Sequence, residues 1–296
     1  MALRPNTEGT YADGTIGGGG HAEMILAAGS PGARLYGSDR DDAAVEAASS
    51  RLTQFGGRAE IRRGRFETLA DWVEPATLDG VLLDLGVSSP QLDEPDRGFS
   101  MMENGPLDMR MDRRDAATAA DLVNTWPEEE LANVFWKNGG ERESRRIAKA
   151  IVHDRNVKEF ETTGELGALI ERVKPRRGKK THPATKVFQA LRIEVNDEYG
   201  AILRGLPLMQ RLLKPGGRLA VITFHSGEDR LVKEFGRVES RDYDLPGEDD
   251  VPALRIPREP RMRWISRKAI RASEEEVSAN PRARSAQLRV LEKTGA

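Results

Sequence analysis

The first third of the chain alternates between two hydrophobic rhythms. Residues 10–15 read as a short strand running into the glycines Gly17 to Gly20, and residues 21–28 read as a helix. A second strand is expected over 34–38, an alanine-rich helix from 42 to about 55, and a third strand over 58–62. Residues 78–85 carry an unbroken apolar centre, Val81-Leu82-Leu83, as a strand buried on both faces requires. Strands separated by helices in this way predict an α/β fold with a doubly wound, mostly parallel sheet.

The rhythm breaks after residue 107. Pro127 and the three glutamates after it open one helix, 141–155 form another, and Thr162-Thr163-Gly164-Glu165 is a capping box ahead of a third over 166–173. The strand pattern returns at 218–224, directly after Lys214-Pro215-Gly216-Gly217. The expected organisation is a sheet domain in two parts, 1–107 and 200–296, with a helical domain over 108–199 inserted between them. The acidic stretch 239–250 reads as a surface loop.

Composition narrows the chemistry. The 296 residues can bury a sizeable core, and 32% of them are charged. No apolar run approaches the roughly 18 residues of a membrane helix. The N-terminal residues lack the basic-then-apolar pattern of a secretory signal, so a cytoplasmic location is expected. The sequence contains no cysteine, which excludes disulfides, thiolate metal sites and a cysteine nucleophile. Methyl transfer to a pyrimidine ring carbon usually depends on such a thiolate.

The net charge is only -2, yet cations cluster. One cluster is Lys174, Arg176, Arg177, Lys179 and Lys180, and from Arg255 onward eleven Lys or Arg face five Glu. Solvated surface and a phosphate-backbone partner both account for such runs.

Three motifs fall at carboxyl ends of strands, where open α/β sheets bind ligands. The first is Asp13-Gly-Thr-Ile-Gly-Gly-Gly-Gly-His21, a strand-to-helix turn that lets backbone approach a ligand closely. Asp39 ends the next strand, twenty residues beyond Gly19, where a carboxylate can accept both ribose hydroxyls of an adenosine. Gly17, Gly19 and Ala22 also satisfy a dinucleotide-binding pattern, so a nucleotide-linked dehydrogenase is an alternative. The second motif, Leu82-Leu-Asp-Leu-Gly-Val-Ser-Ser-Pro-Gln91, carries Asp84, Ser88, Ser89, Pro90 and Gln91. Its serines and proline either line a pocket for a flat base or make an ordinary capped turn. The third, Phe224-His-Ser-Gly-Glu-Asp-Arg230, brings one of four histidines, His225, to the same edge, in a catalytic or a structural role. His182 in His182-Pro-Ala-Thr185 fits an RNA contact or a helix start equally.

Taken together these motifs resemble the bacterial small-subunit rRNA cytosine-N4 methyltransferases, the MraW/RsmH family. The similarity continues through Lys186-Val-Phe-Gln-Ala-Leu-Arg192, Val195-Asn196-Asp197-Glu198 and Asn280-Pro-Arg-Ala-Arg-Ser285. The resemblance implies a class I (Rossmann-like) methyltransferase fold and S-adenosylmethionine as cofactor. It implies methylation of a cytidine N4 in the decoding centre of small-subunit rRNA, by a monomer or homodimer without metal or membrane. It places the cofactor on Gly19, Gly20, His21, Asp39, Phe66, Asp84 and Gln91; by their position at the sheet edge, Ser88, Ser89, Pro90 and His225 are the candidates to orient the target amine. Phe66 can stack on adenine or anchor the core beneath its turn.

Two departures set further expectations. Family members usually open with a His-x-Pro-Val-Leu segment, whereas this sequence starts Met1-Ala-Leu-Arg-Pro5, so part of the pocket wall is expected to be absent. That keeps a non-catalytic ribosome-assembly factor on the same fold as a further alternative. Gly227 stands where the family usually has leucine, which should loosen its loop.

Overall fold

The glycine run is preceded by a strand and followed by a helix, as its backbone freedom and the flanking apolar pattern require. In chain order come β1 (Thr10–Asp13), α1 (Gly20–Ala28), β2 (Arg34–Asp39), α2 (Asp42–Leu52), β3 (Ala59–Arg63) and β4 (Leu78–Asp84). Next are α3 (Ser89–Asp93), α4 (Ala119–Thr125), α5 (Glu128–Lys137), α6 (Ser144–Arg155), α7 (Thr163–Val173) and α8 (Thr185–Val195). Then follow α9 (Glu198–Leu212), β5 (Leu213–Thr223), α10 (Ser226–Glu239) and the two-residue strands β6 (Tyr243–Asp244) and β7 (Ile256–Pro257). The chain closes with β8 (Met262–Trp264), β9 (Ile270–Arg271), α11 (Glu274–Ala279) and β10 (Gln287–Lys293). The computed structural model describes every residue apart from Met1, Thr7, Ser30, Arg177, Lys179, Lys180, Thr181, Glu248 and Ala296.

The chain divides into two units, one of Met1–Gly86 with Tyr199–Ala296 and one of Val87–Glu198. The first is built on a mostly parallel sheet ordered β3-β2-β1-β4-β5-β10-β8, with β9 beside β10. The pairs from β3 to β5 are parallel, and those of β10 with β5, β8 and β9 are antiparallel. Strand residues alternate between two cores. Tyr11, Leu82, Ala220 and Val290 face a cluster with Ile25 and Leu26 of α1 and Leu52 of α2. Their neighbours Ala12, Val81, Leu83, Val221 and Leu291 face another with Ile202 and Met209 of α9 and Val232 of α10. Helices on both faces make this a doubly wound α/β fold of Rossmann-like type.

Two features of this sheet differ from the sequence expectation. Residues 214–217, expected as a turn before a strand, form a bulge inside β5, between the pairs Leu78↔Leu213 and Gly80↔Arg218. The C-terminal segment, expected only as a basic surface, supplies β10 beside β5, with Leu288 opposite Ile222 and Val290 opposite Ala220. Its charges conceal the strand because they are paired and buried. Arg289 and Glu292 are both buried; Arg289 Nε contacts Asp229 of α10 at 2.6 Å, and Glu292 pairs with Arg218 and Arg263.

The second unit is helical and holds one apolar core, including Leu122, Leu131, Phe135, Ile147, Ile170 and Leu191. It begins at Val87 rather than at residue 108, because Val87, Leu92, Phe99 and Leu107 pack into that core. Before its last residue sits a fully buried, well-partnered amide. Asn196 Oδ1 accepts the Met111 N–H, and Nδ2 donates to the carbonyls of Met109 and Arg192, each at 2.8 Å. These bonds hold Met109 at a φ of 62°, a left-handed conformation costly for a non-glycine residue. Glu198 takes both Nε and Nη2 of Arg192, at 2.7 and 2.8 Å. The Val195 to Glu198 motif is therefore structural in this unit. Among the described residues no helix is long and apolar enough to cross a membrane.

Candidate active site

The strand order of the first unit reverses between β1 and β4, and this switch point is where such sheets bind ligands. Asp13 ends β1 and Asp84 ends β4. Asp13 is fully buried; its Oδ1 accepts the Thr15 N–H at 3.2 Å and its Oδ2 has no hydrogen-bond partner. The Asp84 N–H donates to Thr15 Oγ1 at 2.6 Å, and its Oδ1 is likewise without a hydrogen-bond partner. Burial pushes the Asp13 carboxyl up to about 7; the Thr15 hydrogen bond opposes this, and the charges of Asp84 and Asp39 add to it. Asp84 also rises to about 7, through burial and then the charge of Glu228. Asp13 is fully buried and Asp84 partly exposed, but each keeps one buried oxygen without a partner, which calls for donors from a cationic ligand.

The glycine turn runs from this pair toward Asp39. Gly19 adopts a φ of 80°, and a Cβ on it would lie 3.2 Å from the Ala48 Cα in α2. Only glycine meets both conditions. Gly20 and His21 then start α1, whose first-turn N–H groups suit a carboxylate. The His21 Nδ1 lies 3.8 Å from Asp84 Oδ2, too far for a hydrogen bond. Burial lowers the His21 pKa, which favours the neutral ring. Asp39 accepts the N–H of Gly17 on Oδ2 at 2.9 Å and that of Asp41 on Oδ1 at 3.0 Å. Burial raises its pKa against these bonds and a further backbone bond from Arg40, and the carboxylate still keeps acceptor capacity for a ribose hydroxyl.

Phe66 follows β3 at the start of a two-turn 3₁₀ segment, Phe66–Asp71, and is buried in the core shared with α9. A Cβ on Gly205 of α9 would sit 2.0 Å from its Cε2. The structure thus gives Phe66 an anchoring role.

His225 leaves β5 at the same carboxyl edge. Its Nε2 is 3.1 Å from Glu228 Oε1, while Glu228 Oε2 accepts the N–H groups of Phe224 at 2.8 Å and His225 at 3.3 Å. The Tyr199 ring lies 6.1 Å from the imidazole, centre to centre. A Cβ on Gly227 would fall 1.8 Å from the Tyr199 hydroxyl oxygen. The expected loosening at Gly227 does not occur, because Tyr199 occupies the space a larger side chain would take.

The structure brings Gly19, Gly20, His21, Asp39, Asp84 and His225 to the carboxyl edge of one sheet. Ser88, Ser89, Pro90 and Gln91 belong to the other unit. There Ser88 caps α3: its N–H donates to Gln91 Oε1 at 3.1 Å, and its Oγ accepts the Gln91 N–H at 3.4 Å. Ser89 and Pro90 form the exposed first turn. His182 is engaged at a helix start, its Nδ1 accepting the Ala184 N–H and its Nε2 lying 2.9 Å from Glu171.

Two residues of the edge were not singled out as site residues from sequence, Asp13 and Glu228. Asp13 was visible as the last residue of the strand entering the glycine turn. Glu228 was visible only as the third residue of a helix opened by His225. The basic clusters fare unevenly. Arg177, Lys179 and Lys180 lie outside the described residues, and Lys174 pairs with Glu141 at 2.6 Å. Beyond 254, Arg255, Arg258, Arg261, Arg263 and Arg289 are all engaged in internal ion pairs.

Residues 1–294 match the model of the MraW methylase family. A protein of Geobacter sp. (strain M21) called ribosomal RNA small subunit methyltransferase H is 48% identical, over 99% of this chain and 95% of that protein. One of the same name from Symbiobacterium thermophilum is 49% identical, over 99% of this chain and 92% of that protein. Among solved structures, an rRNA methylase from Streptococcus thermophilus is 12% identical, with a TM-score of 0.43 over 99% of this chain and 91% of that chain. The dehydrogenase alternative thereby falls. The acidic edge of the sheet suits a cationic nucleoside, and the match runs almost end to end: this chain belongs to the MraW methylase family, and S-adenosylmethionine is its methyl donor.

Proposed function

We propose that this protein methylates the exocyclic N4 of a cytidine in the decoding centre of small-subunit ribosomal RNA. The observation that carries the cofactor half is the pair of carboxyls Asp13 and Asp84, each with a buried, unmatched oxygen at the switch point. The names of its relatives support the RNA half. The choice of an amine over a ring carbon is supported by the lack of any cysteine and by the family resemblance.

When bound, S-adenosylmethionine supplies a methyl group on a positively charged sulfur. The residues around it bind and orient. Asp39 is assigned to the ribose hydroxyls, the Gly19–His21 turn to the methionine carboxylate, and Asp13 and Asp84 to the positive groups. Phe66 backs the adenine from its anchored position. His225, beside Glu228, and the Ser88, Ser89 and Pro90 segment are assigned to the target amine by their places in the motifs, and the resemblance gives Gln91 to the cofactor. The target base must leave its stack to reach any such site. Transfer then rests on alignment of the amine lone pair, and solvent takes the proton.

Mass spectrometry of small-subunit rRNA nucleosides after incubation with the protein and labelled cofactor tests the reading. N4-methylcytidine is expected; label on a ring carbon or a ribose oxygen would overturn it.

A further inference from the structure

Five of the eleven cations from Arg255 onward are held in ion pairs within the molecule, and α6 in the helical unit presents another set. Its buried stripe of Ser144, Ile147, Ala148 and Ile151 leaves the opposite arc to Arg145, Arg146, Lys149 and His153. A groove of about 480 Å³ is lined by Arg146, Lys149, His153 and Asp154 of this helix with Arg172 of α7. Arg145 and Lys149 have neither an ion-pair nor a hydrogen-bond partner among the described residues. Asp154 is neutralised by Arg172 at 2.6 Å and contacted by His153 at 3.0 Å, and Glu143 by Arg146 at 3.1 Å. The face therefore carries two cations, Arg145 and Lys149, that no acidic side chain pairs among the described residues. Arg145 and Lys149 are one turn apart, about 6 Å along the axis, a spacing suited to successive phosphates on a strand.

We propose that this face of α6, with Arg172, is a docking surface for the sugar–phosphate backbone of the RNA substrate. The proposal rests on the rRNA reading above. Two unpaired cations one turn apart, Arg145 and Lys149, the second of them lining an open groove, match a polyanion, and each phosphate neutralised releases counterions.

The test is the salt dependence of binding between the protein saturated with S-adenosylhomocysteine and a small-subunit rRNA fragment. The double variant Arg145→Gln/Lys149→Gln should reduce the log–log salt slope by about 1.4, at about 0.7 for each single-strand phosphate no longer neutralised. Affinity at low salt should fall roughly tenfold or more. Cofactor affinity and unfolding temperature should not change, since both positions are exposed. Lys137→Gln, on α5 outside the groove, should leave the slope as it was. A slope unchanged in the double variant would overturn the proposal, and unchanged RNA binding with lost affinity for polyglutamate would overturn it in favour of an acidic protein partner. If the slope falls yet no N4-methylcytidine forms, the docking surface stands and the assigned reaction fails.

Discussion

The Gly17 N–H donates to Asp39 Oδ2 at 2.9 Å, so the carboxylate that ends β2 also secures the turn that follows β1. One side chain shapes the glycine turn and is assigned to the ribose. Asp39→Ala should therefore weaken S-adenosylhomocysteine binding by at least about tenfold in a calorimetric titration, since a hydrogen bond to a charged group contributes about 1.5–3 kcal/mol. The unfolding temperature of the ligand-free protein should fall as well. Unchanged affinity in that variant would remove Asp39 from the cofactor site.

The acidic pair predicts a pH dependence. Asp13 and Asp84 titrate near 7 in the folded chain, against about 4 when unfolded. Between those values the folded state holds more protons, so ligand-free stability should decline as pH rises from about 4 to about 7 and level off above. A cationic ligand prefers the ionised carboxylates. Affinity for S-adenosylmethionine should then rise with pH up to about 7, with protons released on binding below it. Calorimetry in buffers of different ionisation enthalpy measures that release, and Asp84→Asn should reduce it.

In the helical unit, Asn196→Ala should be costly although Asn196 touches no proposed ligand. It would leave the Met111 N–H and the Met109 carbonyl unpaired inside the unit. At about 1–3 kcal/mol for each buried group left unsatisfied, a loss of roughly 2–4 kcal/mol in denaturant unfolding is expected. A change below about 1 kcal/mol would show that water replaces the amide.

Gly227→Leu should destabilise by about 1–2 kcal/mol, because the new side chain displaces the Tyr199 ring. Combined with Tyr199→Ala, the leucine has room, and its cost should shrink or vanish. Strict additivity in this double-mutant cycle would show that the two positions do not compete for space.

The parallel half of the sheet was legible because its strands are continuous apolar runs between helices. The antiparallel half was not. In β10, Arg289 and Glu292 read as surface charge, and nothing in a linear pattern shows that Asp229 and Arg218 await them. In the site, the glycine turn and Asp39 were legible as a motif with fixed spacing. Asp13 was harder to assign, because its importance lies in an oxygen left without a partner, a property of the folded surroundings. Ser88 and Gln91 show the reverse case, a motif whose visible hydrogen bonds are those of a helix cap.

The placement of β10 between β5 and β8 has a consequence for synthesis. The helical unit is one continuous segment, Val87–Glu198, and its core can form while later residues are still being added. The sheet cannot follow suit, because the strand that covers β5 is β10, which is made only after α10 and the strands β6 to β9. Until then β5 presents a bare hydrogen-bonding edge to its surroundings. The sheet should therefore be most vulnerable to misassociation in the interval between synthesis of β5 and synthesis of β10.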